Sequence, residues 1–328
     1  MSAAPLFSTA APVHHVAERI TAARSVLILS HVNPDADTLG SALALGLALD
    51  ARGTSVEVAF DEPAVPESLA ALPGQHLVTR DPSRTADLVV CVDVASSGRL
   101  GGLVDILETA RDSIVIDHHA SNLGFGRLNW IDPHAEATVV MIAALLDELG
   151  CPLTTEIATD LYAGLATDTV NFRFASPAGH RLAARLLEAG VVADEVLRPI
   201  SDTHPFGWLT MLGTVLTAAV LDPAGARGLG QVVVRIPLET AAGLRREELD
   251  AVIDIVRTSA EAEVAVVAKQ TDDDVWQVSL RSHGALDVAE VAVRCGGGGH
   301  PRAAGYTFVG SGAALTAQLD SAWNVPLT

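Results

Sequence analysis

The sequence predicts an α/β protein: a doubly wound, mainly parallel sheet joined by a helical connector to a smaller α/β domain. Three observations carry that prediction. Short apolar runs alternate with helical stretches between residues 25 and 117; the chain from 135 to about 221 is almost entirely helical; and a second strand-rich region follows the turn-forming LDPAGARG at 221–228. Alternation of the first kind is the signature of strands covered by helices on both faces.

Taken in order, a helix is expected near 13–23, and SVLILS at 25–30 then reads as a buried parallel strand that stops at a polar loop. A helix over 38–51 follows. TSVEVAF at 54–60, DLVVCVD at 87–93 and SIVID at 113–117 are the next strands, with a helical stretch at 100–110. The helical segments AEATVVMIAALLDELG and AGHRLAARLLEAG each close on a glycine suited to the residue after a helix end. In the second region QVVVRIP, EVAVVAK, VWQVSLRS and YTFVG read as strands, with helices near 246–257 and 287–294. The acidic run 272–274 fits a solvated hairpin turn. The expected organisation is a first domain over 1–195, a helical connector over 196–224 and a second domain over 225–328.

At 328 residues, 49% of them hydrophobic, the chain can bury two cores. Its longest apolar stretches, at 39–49 and 208–221, are too short to span a bilayer. The first residues lack a basic start and a continuous apolar stretch, so a cytoplasmic protein without membrane association is expected. Cys91, Cys151 and Cys295 form no CxxC pair and read as small buried hydrophobes. A formal charge of −19 argues against coating long nucleic acid by counterion release. Any phosphate ligand must therefore be held locally, by metal ions and a few Arg and His side chains.

The loop HVNPDAD at 31–37 places one imidazole and two carboxylates directly after an apolar strand, where ligands gather in an open parallel sheet. Pro34 restricts the loop's shape, and an ordinary turn followed by an N-capping Asp is the competing reading. DLVVCVD ends in Asp93, SIVID runs into Asp117, His118 and His119, and Asp168 follows an apolar helical run in GLATDTVNF. Each has a local alternative as a cap or a surface residue. Strand ends delivering this chemistry in one sheet would share one crevice. Arg99, in VASSGRL, either reaches that crevice or faces solvent. Near the other end of the chain, CGGGGHPRAAG at 295–305 lets backbone N–H groups approach a phosphate or sugar, with His300 and Arg302 as donors; a plain flexible turn is the alternative. Arg281 and Ser282 close the strand VWQVSLRS. His14, His15 and the tryptophans 130, 208 and 276 match no motif and read as surface, cap or packing residues.

In this order, HVNPDAD, Asp93, the DHH triplet at 117–119, Asp168 and the GGGH segment resemble the motif set of the DHH phosphoesterases and their associated C-terminal domain, from His31 to Gly305. Each motif is weak alone; their ordered combination is specific. The chain looks like the short subgroup of oligoribonucleases (nanoRNases) and 3′-phosphoadenosine 5′-phosphate phosphatases, some of which act on cyclic di-AMP or its linear product. The resemblance implies two divalent ions, Mn²⁺ with Mg²⁺ as the second choice. His31 and Asp35 match ligands of one, Asp37, His118 and Asp168 match ligands of the other, and Asp93 matches the bridge. It further implies that Asp117 orients a ligand histidine, and that His119, Arg281, Ser282 and the GGGH residues Gly298, Gly299 and His300 contact substrate; Arg302 is a further donor candidate, and Arg99 is one if it reaches the crevice. A homodimer acting on short nucleotides rather than long strands follows from the same resemblance. An oxygen-rich ligand set suits octahedral Mn²⁺ or Mg²⁺ better than tetrahedral zinc. Two other readings stand beside this one: an inorganic pyrophosphatase, whose second domain would lack the GGGH signature, and a nucleotide sensor that has lost catalysis.

Overall fold

The computed structural model describes residues 13–61 and 64–323, so the ends of the two expected domains, 1–12 and 324–328, lie outside the described residues. The chain forms two compact units that meet in sequence between Thr203 and His204.

The first unit runs α1 (Val13–Ala22), β1 (Ser25–Leu29), α2 (Ala36–Asp50), β2 (Ser55–Ala59), β3 (Leu88–Val92), a 3₁₀ segment (Ser97–Leu103), α3 (Val104–Thr109), β4 (Ser113–Asp117), β5 (Leu128–Ile131), then α4 (Thr138–Glu148), α5 (Thr155–Asp168), α6 (Pro177–Glu188) and α7 (Ala193–Ser201). Its strands are all parallel, in the order β2-β1-β3-β4-β5. The apolar runs are continuous because both faces of the sheet are covered. Val26, Ile28, Val90, Val92, Ile114 and Ile116 pack under α1, α2, α4 and α5, while Leu27, Leu29, Val89, Cys91 and Val115 pack against Leu100, Ile106 and Leu107 on the other side. The order reverses at β1, with β2 on one flank and β3 on the other. That reversal opens a crevice beyond the carboxyl ends of β1 and β3.

Helix α2 is apolar almost all round because it is enclosed, and glycines set how closely it meets α5. A Cβ on Gly40 would lie 2.4 Å from the Asp160 carbonyl oxygen, and one on Gly164 would lie 2.8 Å from the Asp37 Cα. The second contact brings a carboxylate-bearing turn of α2 against the middle of α5.

The second unit contains α8 (Phe206–Thr217), β6 (Val220–Asp222), α9 (Gly225–Gly228), β7 (Gln231–Ile236), α10 (Leu238–Ala241), α11 (Arg246–Asp250), α12 (Val252–Val256), β8 (Val264–Asp272), β9 (Val275–Ser282), α13 (Val288–Arg294), β10 (Gly298–His300), β11 (Ala303–Val309) and α14 (Gly312–Trp323). Its strand order is β10-β11-β9-β8-β7-β6, and only β7 and β8 pair in parallel. One face packs on α13 and α14 through Val278, Leu280, Phe308, Leu315 and Leu319; the other packs on α8 and α12 through Val234, Val267, Met211 and Val256. The acidic run forms the β8–β9 hairpin turn, with Asp274 at φ +55.

The stretch 196–224, expected as a connector, is divided between the units. Val196 is buried in the first unit's core with Leu197 and Ile200 packed beside it, whereas Met211 and Val215 belong to a core of the second. The amphipathic patterns of α7 and α8 are satisfied separately. Elements absent from the sequence reading are short or atypical. They include β5, with one buried residue in four, the two three-residue strands β6 and β10, the four-residue helices α9 and α10, and α14.

Candidate metal centre

The loop after β1 enters α2 through Asp35, whose carboxylate accepts the Thr38 N–H at 3.0 Å as an N-cap. Two residues further on, in the first turn, Asp37 is fully enclosed, and its two oxygens accept the N–H groups of Thr138 (2.7 Å) and Val139 (2.9 Å) at the start of α4. The cap makes Asp35 part of the helix end, while its position keeps it exposed beside His31.

Asp93 follows β3 with φ +57, a left-handed conformation that Asp tolerates better than most residues and that re-aims its side chain beyond the strand end. The carboxylate is buried and lies between three imidazoles. Its Oδ2 is 3.6 Å from His31 Nε2, and its Oδ1 is 3.7 Å from both His118 Nε2 and His119 Nδ1. Two hydroxyls also hold it: Thr38 donates to Oδ2 at 2.5 Å and Thr138 donates to Oδ1 at 2.9 Å. Burial pushes Asp93 up, but the hydrogen bond from His31 and the three nearby imidazoles outweigh it and hold the carboxyl well below its usual range. Asp37 goes the other way, raised by burial and by the negative charges of Asp93 and Asp35 against the two backbone donors.

His118 completes the cluster. Its Nε2 lies 3.3 Å from Asp168 Oδ2 and 3.8 Å from Asp37 Oδ2, and its Nδ1 faces the Ala135 carbonyl at 3.2 Å. Asp168 is the last residue of α5. The helix stops there because Val170, Asn171 and Phe172 all take positive φ, in a turn closed by Asn171 N–H to the Ala166 carbonyl (2.7 Å) and Phe174 N–H to the Thr169 carbonyl (3.0 Å).

The role implied for Asp117 needs correction. Its carboxylate accepts from His119 Nδ1 at 2.8 Å and from Asn122 Nδ2 at 2.6 Å, so it orients His119, while the carbonyl of Ala135 orients His118. Burial lowers His119, yet its bond to Asp117 and the charges of Asp93 and Asp117 raise it overall, with Arg99 opposing. Arg99 is exposed but reaches the cluster: its guanidinium lies 3.2 Å from His31 Nδ1, and its carbonyl accepts the Val32 N–H at 2.9 Å.

Among the described residues of the first unit, three sets of ligand atoms each lie within 4.8 Å of one another: His31, Asp35 and Asp93; Asp37, Asp93 and His118; and Asp93, Asp117 and His119. All three share Asp93. A buried Asp37 carboxylate raised by two neighbouring carboxylates is the electrostatic condition a divalent cation relieves, so the donor set fits a metal site. Thr38, Thr138 and Asn122 carry much of this geometry and were missed in the sequence. A hydroxyl residue directly after the second acid of HVNPDAD, and another opening a helix, were the available signals.

In the second unit, pairing of β10, β11 and β9 sets His300, Ala303 and Arg281 in one row across the sheet end. Two glycines are required there. A Cβ on Gly297 would lie 2.0 Å from the Gly305 carbonyl, and one on Gly299, at φ +142, would lie 2.5 Å from the Ala303 carbonyl; Gly298 has nothing within 4 Å. The run therefore leads into a tight strand, open at Gly296 and Gly298 and closely packed at Gly297 and Gly299, rather than forming a flexible turn. Arg302 packs its guanidinium over Gly284, where an added Cβ would be 3.0 Å from Nη2. Ser282 was expected to face substrate, but its hydroxyl lies 2.7 Å from both Glu263 Oε1 and the Leu286 carbonyl, and Glu263 also accepts the N–H groups of Gly284 and Ala285. It holds the loop after β9.

Comparison with known proteins agrees with this architecture. The DHH family, N-terminal domain, matches residues 25–165, and the DHHA1 domain matches residues 229–322. The bifunctional oligoribonuclease and PAP phosphatase NrnA of Thermus thermophilus is 34% identical over 290 residues, 87% of this chain and 84% of that protein. An exopolyphosphatase-related protein from Bacteroides fragilis superposes with a TM-score of 0.84 at 23% identity, over 95% of both chains. RecJ of Thermus thermophilus in complex with Mn²⁺ shares the fold at a TM-score of 0.52 and 17% identity, over 96% of this chain and 55% of that one.

Proposed function

This chain belongs to the DHH family and is a hydrolase of phosphoester bonds, and from that premise we propose that it cleaves short oligoribonucleotides or dinucleotides and 3′-phosphoadenosine 5′-phosphate with two bound divalent cations. The observation that carries the reading is the shared carboxylate of Asp93. It belongs at once to the group formed with His31 and Asp35 and to the group formed with Asp37 and His118.

In this reading His31, Asp35 and Asp93 hold one cation, and Asp37, Asp93, His118 and Asp168 hold the other. Such a pair supplies an activated water and neutralises charge on the phosphoryl group. Mn²⁺ is the favoured ion, on the oxygen-rich donor set and on the manganese carried by the RecJ neighbour, with Mg²⁺ second. His119, oriented by Asp117 and raised overall, is placed to donate an N–H to a phosphoryl oxygen when protonated, and Arg99 adds a positive group beside His31. Gly298, Gly299, His300, Arg302 and Arg281 bind the nucleotide.

The substrate class follows from charge as well as from the similarity to NrnA. At −19 the chain offers no electrostatic track for a long strand, and its required cations are local. No helix among the described residues is long and apolar enough to cross a membrane. A cytoplasmic homodimer is part of the same proposal, taken from the family resemblance.

One panel in Mn²⁺ buffer tests the reading: a diribonucleotide, 3′-phosphoadenosine 5′-phosphate, cyclic di-AMP, a long single strand and pyrophosphate. Turnover of the first two, with the long strand slowest among the nucleic acids, is expected. Hydrolysis of pyrophosphate alone would assign a pyrophosphatase, and tight cyclic di-AMP binding with no product from any substrate would assign a sensor.

A further inference from the structure

Asp93 is held by two hydroxyls that come from different elements. Thr38 lies in the first turn of α2 and donates to Oδ2 at 2.5 Å; Thr138 opens α4 and donates to Oδ1 at 2.9 Å. Both threonines are fully buried, so neither hydroxyl has water as an alternative partner. The two oxygens also face different ligands. Oδ2 points to His31 Nε2 at 3.6 Å, and Oδ1 points to His118 Nε2 at 3.7 Å.

A carboxylate oxygen has two lone-pair sites, so one hydroxyl on each oxygen leaves one site per oxygen for a cation. Without them the group could turn about its terminal bond, a soft torsion, and present both oxygens to a single ion. Thr38 and Thr138 oppose that rotation from two sides. Thr138 also reaches the second carboxylate, since its N–H donates to Asp37 Oδ2 at 2.7 Å. Its position therefore couples Asp93 to the Asp37 and His118 group, while Thr38, 2.6 Å from His31 Nε2, couples it to the His31 group.

We propose that Thr38 and Thr138 are positioning residues that hold the Asp93 oxygens apart, Oδ2 towards the His31 group and Oδ1 towards the His118 group, so that one carboxylate serves two cations. This rests on the two-cation reading above.

The test is an Mn²⁺ titration of the full chain by calorimetry and by electron paramagnetic resonance, in which coupled Mn²⁺ pairs differ from isolated ions. It compares wild type with Thr38→Val, Thr138→Val, the double variant, and the hydroxyl-retaining Thr38→Ser and Thr138→Ser. Valine is close in shape and removes only the hydroxyl; the Thr138 N–H bond to Asp37 remains. Loss of a group that orients a ligand costs about 10–100-fold in metal affinity. The weaker Mn²⁺ site of each Val variant should lose at least about tenfold and the coupled signal should fall, with the Ser variants near wild type. Should a Val variant fold poorly, the Ser variants and Thr→Ala replacements carry the comparison. Coupled pairs and wild-type affinity in folded variants lacking either hydroxyl would overturn the proposal, as would a lowered melting temperature with both ions bound normally. A wild-type protein that takes up fewer than two ions would instead refute the two-cation reading.

Discussion

Replacing Gly164 by alanine separates helix propensity from the packing that delivers Asp37. In an exposed helix, Gly→Ala stabilises by about 1 kcal/mol. At Gly164, in the middle of α5, the new Cβ would lie 2.7 Å from Val139 Cγ1, 2.8 Å from Asp37 Cα and 3.0 Å from Asp37 Oδ1. Carbon atoms pack best at about 3.5–4.0 Å, so the two carbon contacts are short by roughly 1 Å. Val139 is β-branched and stiff in its helix, and Asp37 Cα is backbone, so neither can turn aside. Overpacking of this kind costs about 1–3 kcal/mol, leaving a net loss of up to about 2 kcal/mol after the propensity gain. Because both contacts belong to the Asp37 site, Mn²⁺ affinity should fall with stability. Gly213→Ala in α8 is the control, since nothing lies within 4 Å of its Cβ, and it should gain up to about 1 kcal/mol. Denaturant unfolding and Mn²⁺ titration of both variants decide the matter. A Gly164→Ala protein as stabilised as Gly213→Ala, with unchanged Mn²⁺ binding, would refute the close approach of α2 and α5.

Asp93→Ala should abolish turnover on every substrate of the panel while far-ultraviolet circular dichroism stays native; undiminished activity in metal-supplemented buffer would contradict its assignment. Gly299→Ala, at φ +142 and against the Ala303 carbonyl, should disrupt the β10–β11 hairpin and raise KM sharply, whereas Gly298→Ala should fold normally, as amide exchange of that hairpin would reveal. Asp160 is buried in α5 with no hydrogen-bond partner for either oxygen among the described residues, and burial, then the nearby Glu156 charge, raises its carboxyl well above the ordinary range. Its ionised form is thus disfavoured in the fold, so it costs stability as pH rises through the folded value, and that cost is absent below the unfolded one. Asp160→Asn should remove that pH dependence and raise the melting temperature more at pH 8 than at pH 5; equal shifts at the two pH values would contradict the burial argument.

Much of the first unit was legible because its strands are buried on both faces and so read as unbroken apolar runs, each leading to a residue that the fold gathers around Asp93: His31, Asp93 itself, Asp117. β5 was not, since an edge strand of four residues with Asn129 at its centre lacks both the length and the pattern of a covered strand. The carboxylates and imidazoles of the site could be found from motif order. The threonines were marked only faintly, by a hydroxyl after the second acid of HVNPDAD and another opening a helix, because their importance lies in where α2 and α4 begin relative to Asp93. Ser282 shows the same limit: its place beside Arg281 was legible, whereas the engagement of its hydroxyl by Glu263, distant in sequence, was not. The boundary between the units escaped for a similar reason, since α7 and α8 look alike as amphipathic helices and only their partners distinguish them.

Anomalous scattering at the manganese edge, from crystals of the full chain grown or soaked in Mn²⁺, tests the centre directly. Two peaks flanking Asp93, about 3.5–4 Å apart, are predicted, one beside His31 and Asp35 and the other beside Asp37, His118 and Asp168. A single peak, or ions bound away from Asp93, would contradict it.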